Sequence, residues 1–267
     1  MQLKISHVTR YRYEGPVTYG LQEVRLTPRS IPGQNVLAWS IEIQGGKVEL
    51  EFEDQHANTV KLISFHDDPR ELAITCTGEV ATLDTSGIFG SHTGYAPLWY
   101  FTRVTPLSRP GQAVRKLVRG VREDERDAIA RLHLLSARIR ETVAYVTGRT
   151  GVETSAEAAL AVGKGVCQDH SHVFVSAARA MGFPARYVSG YLMMDDRVDQ
   201  DATHAWAEAH VDGIGWVSFD VSNGISPDER HVRVATGLDY REAAPISGMC
   251  WGENGQETLA VSLQVQQ

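Results

Sequence analysis

The period of the hydrophobic pattern changes near residue 105, and this change limits the folds open to the chain. Before it, short segments alternate apolar and polar residues and are rich in Val, Ile, Thr and Phe; they cover 2–8, 37–43, 48–52, 59–65 and 72–77. A period of two residues is typical of strands that bury one face. Turn signals such as Gly45-Gly46 and Asp67-Asp68-Pro69 separate the segments. We therefore predict that residues 1–105 form a β-sandwich domain.

Beyond the turn signals at 105–111 the pattern becomes helical. From Glu123 to Val146 apolar residues recur every three or four positions, which indicates one long amphipathic helix. A second helical stretch begins at Cys167 and ends at Gly182-Phe183-Pro184, a strong helix stop. Strand-like runs follow at 185–192, 205–211 and 216–221, and 257–265 alternates like a terminal strand. We therefore predict an α+β domain over residues 106–267.

Composition and charge argue against several classes of partner. The 267 residues carry a net charge of −7 and no run of five Lys or Arg, so we expect no nucleic-acid partner. No apolar stretch approaches the roughly 18 residues of a membrane span, and the first residues lack the apolar core of a secretory signal. Three cysteines, Cys76, Cys167 and Cys250, make a poor disulfide framework. We expect a cytoplasmic protein without a membrane partner.

Cys167 stands at the predicted first turn of a helix, directly after Gly163-Lys164-Gly165-Val166. The partial positive charge at a helix N-terminus stabilises a thiolate, and the first amide groups can receive a developing oxyanion. A thiol in this position is suited to attack on a carbonyl. By position alone, a buried and inert cysteine is an equally good interpretation. Cys76 and Cys250 lie in apolar surroundings, and we predict that both are buried thiols.

His204 and Asp220 lie on two successive predicted strands that a glycine turn at Gly213 and Gly215 joins. Strands joined by so short a turn pair antiparallel. The start of the first strand, with His204, then lies beside the end of the second, with Asp220. If the helix of Cys167 packs against them, the three residues form a Cys–His–Asp triad.

Four stretches in this order resemble the motifs of the transglutaminase-like superfamily; they are Gly165–His170, Met181–Tyr191, His204–Glu208 and Gly215–Asp220. The resemblance covers residues from about 140 to 250 and is to the bacterial branch, whose members are regarded as cysteine peptidases with an N-terminal β domain. It implies a papain-like fold, in which a helix bearing the cysteine packs on an antiparallel sheet bearing His and Asp. It also implies that Cys167 is the nucleophile, that His204 is the base and acid, and that Asp220 orients the base.

Seven further residues are candidates for substrate contact or for support of the triad; they are Tyr145, Gln168, Asp169, Trp206, Asn223, Asp239 and Tyr240. For Tyr145 a core position is favoured over one in the site. Asn223 resembles the Asn of the family's Asp-Pro-Thr-Asn-Gly, with Val221-Ser222 in place of Pro-Thr. In the segment that ends at Tyr240, Leu238 stands where Arg is usual. Arg186 is interpreted as an ion-pair residue, with carboxylate binding as the alternative.

We expect no metal and no cofactor. Cys167 and His170 form half of a zinc pattern, but no second pair completes it, and His172 and His210 are not spaced to do so. The acidic loop at 195–201 lacks the regular ligand spacing and the glycine of a calcium loop. We interpret it as a solvated loop beside the site.

The resemblance implies acyl transfer on amide bonds of peptides or proteins through a thioester on Cys167. If water resolves the thioester the protein is a cysteine peptidase or amidase, and we favour this outcome by analogy with the bacterial branch. If an amine resolves it, the protein is a transglutaminase. A non-catalytic binding module of the same fold is the alternative from another class. Substrate identity, oligomeric state and the role of the β domain stay open.

Overall fold

The computed structural model describes residues 1–15, 17–66, 70–195, 198–200, 202–252 and 257–267. The N-terminal strands are β1 (Gln2–Tyr13), β2 (Val17–Thr27), β3 (Gln34–Gln44), β4 (Lys47–Glu53), β5 (Thr59–His66), β6 (Glu71–Thr82) and β7 (Ile88–Gly90). A 3-10 helix at Leu98–Thr102 leads into α1 (Gln112–Asp124), α2 (Ala128–Thr142), β8 (Ala144–Tyr145), α3 (Ala156–Val162) and β9 (Lys164–Gly165). The turn predicted at Asp67-Asp68-Pro69 lies outside the described residues.

The second half of the chain opens with the helix that carries Cys167. Its elements are α4 (Cys167–Ala180), β10 (Ala185–Leu192), β11 (Asp199–Gln200), β12 (His204–Val211), β13 (Gly215–Phe219), β14 (His231–Gly237), α5 (Tyr240–Ala243), β15 (Ile246–Gly252) and β16 (Glu257–Gln266). The mixture of helices and sheets confirms the predicted α+β class.

The N-terminal strands form two sheets with an apolar core. One sheet has the strand order β11-β16-β1-β6-β3, and the other has β15-β2-β5-β4. Alternate residues of β1, β2, β5 and β6 fill the space between them, among them Leu72, Ile63 and Phe65, each at most 1% exposed. Cys76 lies in this core, and burial raises the pKa of its thiol to about 12. The thiol of Cys250 is only partly buried, so the prediction of a second buried thiol is wrong.

The last two strands of the chain lie in the N-terminal sheets. β16 pairs antiparallel with β1, and β15 pairs antiparallel with β2. Leu263 and Val265 of β16 are 0% and 1% exposed, and they pack with Leu3 and Ile5 of β1. The strand predicted at 257–265 is therefore confirmed, and its partners come from the far end of the chain. The domain boundary predicted near residue 105 stays a prediction.

A third sheet, with the strand order β14-β10-β12-β13-β7, carries the helices on one face. Ala207 and Ala209 of β12 face α4, and their small side chains let the helix lie close to the strand. The hairpin of β12 and β13 pairs Val211 with Gly215, and both glycines of its turn have positive φ angles (79° and 98°). Only glycine adopts that backbone without strain. The predicted antiparallel hairpin is confirmed.

The single helix predicted from Glu123 to Val146 is wrong. α1 ends at Asp124 and α2 begins at Ala128, because the Asp127 side chain accepts a hydrogen bond (2.9 Å) from the Ala130 amide and caps a new helix. Among the described residues, no helix has the length and apolarity that crossing a membrane requires.

The pairing of the chain ends gives a first prediction. Replacing Leu263, which is fully buried, with Ala should lower the free energy of unfolding by about 2–5 kcal/mol, because it leaves a cavity in the apolar cluster that contains Leu3 and Ile5. Leu259→Ala on the same strand, at a side chain that is 55% exposed, should change it by less than about 0.5 kcal/mol. Urea denaturation of both variants measures the difference. Equal losses would show that β16 is not anchored through its buried face.

Candidate active site

Cys167 is the first residue of α4, and the side chain of Asp169 fixes the turn that precedes it. The carboxylate of Asp169 is 1% exposed and accepts hydrogen bonds from the Val166 amide (2.8 Å) and from the Thr150 hydroxyl (2.7 Å). A side chain at Gly165 would meet this carboxylate, since its Cβ would lie 2.7 Å from Oδ2. The fixed turn places the Cys167 thiol, which is partly exposed, at the positive end of the helix.

The amide groups of the first turn of α4 are not used up by a cap. Val166 precedes the helix and has no side-chain acceptor, so only the Asp169 half of a capping box is formed. Among the described residues, no side chain accepts from the amides of Cys167 or Gln168. These two N–H groups can therefore donate to an oxyanion formed beside the thiol.

The hairpin of β12 and β13 brings His204 and Asp220 together. His204 Nε2 lies 2.8 Å from Asp220 Oδ2, and the two residues are 7% and 0% exposed. Because Nε2 faces the carboxylate, Nδ1 is the ring nitrogen left for the cysteine. The Cys167 side chain lies near enough to this imidazole to help raise its pKa. The three predicted triad residues therefore lie together.

The electrostatics of the pair favour a charged imidazole. Burial by itself lowers the pKa of His204, but the Asp220 carboxylate and the Cys167 side chain outweigh it and raise the pKa to about 10. Burial by itself raises the pKa of Asp220, but the imidazoles of His204 and His231 outweigh it and hold that pKa well below its usual range. An imidazolium between a carboxylate and a thiol is the arrangement that stabilises a thiolate.

Asp220 also binds two groups other than His204. The Asn223 side chain donates to Oδ2 at 2.7 Å, and its backbone amide donates to Oδ1 at 3.2 Å. His231 Nε2 lies 3.1 Å from the same Oδ2, while its Nδ1 lies 3.1 Å from Asp228 Oδ1. Asn223, one of the predicted candidates, therefore contacts the Asp220 carboxylate through both its side chain and its backbone amide.

His231 is the residue of this network that the sequence did not reveal. It begins β14, which pairs with β10 and not with β12 or β13, so no local spacing connects it to Asp220. Burial lowers the pKa of His231, but its hydrogen bonds to Asp220 and Asp228 outweigh burial and raise the pKa. The signal that could have found it is weak: a His at the start of a strand, three residues after an Asp.

Trp206, Tyr145 and Gln168 occupy three different environments. Trp206 is 1% exposed. Its ring centroid lies 5.4 Å from that of His231 and 6.1 Å from that of His204, so the indole packs against both imidazoles. Tyr145 is 55% exposed beside His170, which shows that the favoured interpretation as a core aromatic is wrong. Gln168 donates to the carbonyl oxygen of Val152 at 3.1 Å next to the cysteine.

Asp239 and Tyr240 lie near the cysteine but differ in role. Asp239 is 2% exposed and caps α5, since it accepts from the Arg241 amide at 2.9 Å. Asp239 and the equally buried Asp169 therefore support helix starts and do not line an open cleft. Tyr240 belongs to the apolar cluster that touches Cys167, with its ring 6.1 Å from Tyr187.

His204, Asp220 and His231 could also be considered as metal ligands, since their ligand atoms all lie within 4.8 Å of one another. Asp220 Oδ2, however, already faces two imidazole nitrogens and an amide nitrogen at 2.7–3.1 Å. The pKa of His204, raised to about 10, keeps both of its ring nitrogens protonated, and a protonated nitrogen has no lone pair for a metal. We therefore interpret the group as a hydrogen-bonded network.

The other histidines of the zinc hypothesis make separate contacts. His170 lies 2.8 Å from the Ser222 hydroxyl and 2.8 Å from the Val143 carbonyl oxygen, and both contacts are within hydrogen-bonding range. His172 accepts from the Tyr240 amide at 3.2 Å, and His210 packs on Trp216 at the far end of β12.

The acidic loop at 195–201 is described only in part. Asp195 pairs with Arg230 at 3.2 Å, and Asp199 accepts from Gln264 at 2.8 Å. Asp196, Arg197 and Asp201 lie outside the described residues, so the hypothesis of a cation in this loop stays open. Arg186 pairs with Glu208 at 2.5 Å, which confirms its interpretation as an ion-pair residue.

Two family models match separate parts of this chain. A model described as the transglutaminase-like superfamily matches residues 115–221, and a model of the bacterial transglutaminase-like N-terminal region matches residues 3–81. An uncharacterized protein of Mycobacterium leprae is 30% identical over 281 residues, which cover 99% of this chain and 98% of that protein. An uncharacterized protein of Mycobacterium bovis is 28% identical, covering 98% of this chain and 91% of that protein.

Among solved structures, a protein of Cytophaga hutchinsonii that has been proposed to be a cysteine protease has the same fold. It superposes with a TM-score of 0.75 at 19% identity, covering 100% of this chain and 98% of that chain.

The His204–Asp220 pair gives a second prediction. Asp220→Asn should bring the pKa of His204 well below about 10, because the carboxylate is the larger of the two groups that oppose burial and only Cys167 then remains. A histidine ring NMR titration of the wild type and the variant measures this.

The same pair makes stability depend on pH. Because the folded-state pKa of His204 lies above its unfolded value of 6.5, its contribution is complete below pH 6.5 and disappears as pH rises through about 10. Urea denaturation of the wild type should show this loss between pH 7 and 10, and that of Asp220→Asn should not. A His204 that still titrates near 10 in the variant would rule out Asp220 as the cause.

Proposed function

Since this chain belongs to the transglutaminase-like superfamily, we propose that it is a thiol-dependent acyl-transfer enzyme with Cys167, His204 and Asp220 as its catalytic triad. The observation that carries the proposal is a helix-terminal thiol placed beside an imidazole that it influences electrostatically, with Nε2 of that imidazole 2.8 Å from a buried carboxylate. Nucleophile, base and orienting group are the three parts that acyl transfer through a covalent intermediate requires. The chemistry requires no cofactor.

In the first half of the proposed reaction, Cys167 Sγ attacks the carbonyl carbon of an amide. The carbonyl oxygen becomes negative, and the amides of Cys167 and Gln168 donate hydrogen bonds to it. As the tetrahedral intermediate collapses, the carbon–nitrogen bond breaks and His204 gives its proton to the departing amine. The acyl group is then held on the enzyme as a thioester.

In the second half, neutral His204 accepts a proton from the incoming nucleophile, which attacks the thioester carbon. Sγ leaves as a thiolate, and His204 again carries the proton that stabilises it. The Asp220 carboxylate stays ionised throughout and holds the imidazole with Nδ1 toward the sulfur. His231 and Asn223 are proposed as positioning residues, because they act through Asp220.

We favour water as the second nucleophile, which makes the protein a cysteine peptidase or amidase that acts on peptides or proteins. The support is analogy with the bacterial branch of the family and with the Cytophaga hutchinsonii protein, whose relationship to this chain is one of fold. Transglutaminase activity, with an amine as the second nucleophile, is the alternative that the family relationship supports. The same three residues serve both reactions, so the acceptor decides between them.

Thiol reactivity gives the third prediction. Iodoacetamide should alkylate Cys167 at pH 6.5, because a neighbouring imidazolium favours the thiolate. Peptide mapping should find Cys76 unmodified, since burial raises its pKa to about 12. His204→Ala should slow alkylation of Cys167 roughly tenfold or more, and His133→Ala, at an exposed histidine of α2, should leave the rate unchanged. An alkylation rate that is the same in all three proteins would exclude the imidazolium–thiolate pair.

A product assay distinguishes the two reactions. The protein is incubated with a peptide library, with and without a primary amine, and the products are identified by mass spectrometry. Shortened or deamidated peptides establish hydrolysis, and peptides carrying the amine establish transamidation. Cys167→Ala should abolish either product, and Asp220→Asn should reduce the rate by about 10³- to 10⁴-fold. Products that persist in Cys167→Ala would refute the proposed nucleophile.

A further inference from the structure

A cavity of about 570 Å³ lies away from the triad. Its floor is the face of the third sheet that is turned away from α4, where Arg186 and Trp216 project. Its walls come from the N-terminal part of the chain, with Arg29 and Asn58 among them, and exposed Tyr95 stands at its rim. Cys167, His204 and Asp220 do not line it. A cavity of this size accommodates a small molecule or the end of a peptide.

One carboxylate below the floor faces two guanidinium groups. Glu208 of β12 is 0% exposed. Its Oε2 lies 2.5 Å from Nε of Arg186 on β10, and its Oε1 lies 3.4 Å from Nη1 of Arg233 on β14. Burial and the neighbouring Arg186 lower the pKa of Arg233 to about 10, against the opposing effect of Glu208. A single carboxylate balances one of these cations and leaves the other in excess.

A third arginine leaves this excess of one positive charge unchanged. Arg29 also lines the cavity and pairs with Glu53 at 2.7 Å, so this pair is neutral. Counting Glu208, the cavity has three arginines against two carboxylates. A buried charge without a partner is costly, which favours the arrival of an anion.

The guanidinium groups of Arg186 and Arg233 each lie over an aromatic ring, and most of their N–H groups donate to no described residue. Arg186 stacks 3.9 Å above the Trp216 ring, and Arg233 lies 5.2 Å from the centre of the Phe89 ring. Trp216 is itself fixed, because its Nε1 donates to His92 at 3.1 Å. Each guanidinium has five N–H groups. Of these, only Arg186 Nε–H donates a hydrogen bond to a described residue.

We propose that this cavity is a second binding site, which takes a carboxylate or phosphate group carried by a molecule with an aromatic or apolar portion. Planar forks of N–H donors match the two oxygens of such an anion. The rings of Trp216 and Phe89 and the aliphatic Val234 offer apolar surface to the rest of the ligand. The proposal does not depend on the reaction assigned to Cys167.

The test uses three probes on the full chain at constant ionic strength. They are N-acetylphenylalanine, its uncharged amide, and phenyl phosphate, each followed by thermal unfolding. A carboxylate or phosphate ligand should raise Tm by about 3–6 °C at ten times its Kd, with a shift that grows with the logarithm of its concentration, and the amide should not. A shift with only one of the anions identifies the source of the oxyanion. The absence of a shift with either anion up to about 50 mM, relative to the amide, would overturn the proposal.

Two variants and a control locate the effect. Arg233→Met keeps the contact with Phe89 and leaves Arg186 to balance Glu208, so it should fold with an unchanged or higher Tm and lose the anion-induced shift. Arg29→Gln, at a half-exposed side chain, should reduce the shift without affecting the fold. Arg12→Gln, an exposed arginine that pairs with Glu71, is the matched control and should keep the full shift. Shifts that survive in Arg233→Met and Arg29→Gln as in Arg12→Gln would overturn the assignment.

Discussion

A buried carboxylate holds the site of this protein together. Oδ2 of Asp220 faces two imidazole nitrogens and receives an amide hydrogen bond, and the residue is wholly out of contact with solvent. An ionised carboxylate can exist there only because positive and polar groups surround it. The requirement connects three parts of the chain, since His204 comes from β12, Asn223 from the turn after β13, and His231 from β14. The imidazole that faces the thiol is thereby fixed by the same contacts that make the burial of Asp220 tolerable.

The parts of this arrangement that depend on local geometry could be predicted from the sequence, and the parts that depend on distant pairing could not. A two-strand hairpin with a glycine turn determines that His204 and Asp220 meet, and a helix that starts at Cys167 follows from its flanking residues. His231 reaches Asp220 only through the pairing of β14 with β10, which has no sequence signal of its own. The break between α1 and α2 was missed because the apolar period continues across it, and only the cap at Asp127 interrupts the backbone.

The third sheet separates two environments by strand alternation alone. On β12, Ala207 and Ala209 face the helices, whereas Trp206 and Glu208 lie on the opposite face. The small residues bring α4 close enough for its first turn to reach the strand end. The large and charged residues on the other face meet the N-terminal sheets, where apolar packing gives way to ion pairs and a cavity. Successive residues of β12 therefore point alternately into the packed core under the helices and into the polar interface on the opposite face.

The pairing of β1 with β16 determines when the sandwich can form during synthesis on the ribosome. Val8 lies opposite Ser262, so this edge of β1 must wait for a segment made 254 residues later (262 − 8) before it is covered. At 5–20 residues per second the wait is at least about 12 seconds, during which a long strand with an apolar face has an open edge. The sandwich thus cannot be completed until residues 257–266 have been made, although most of its strands are made early.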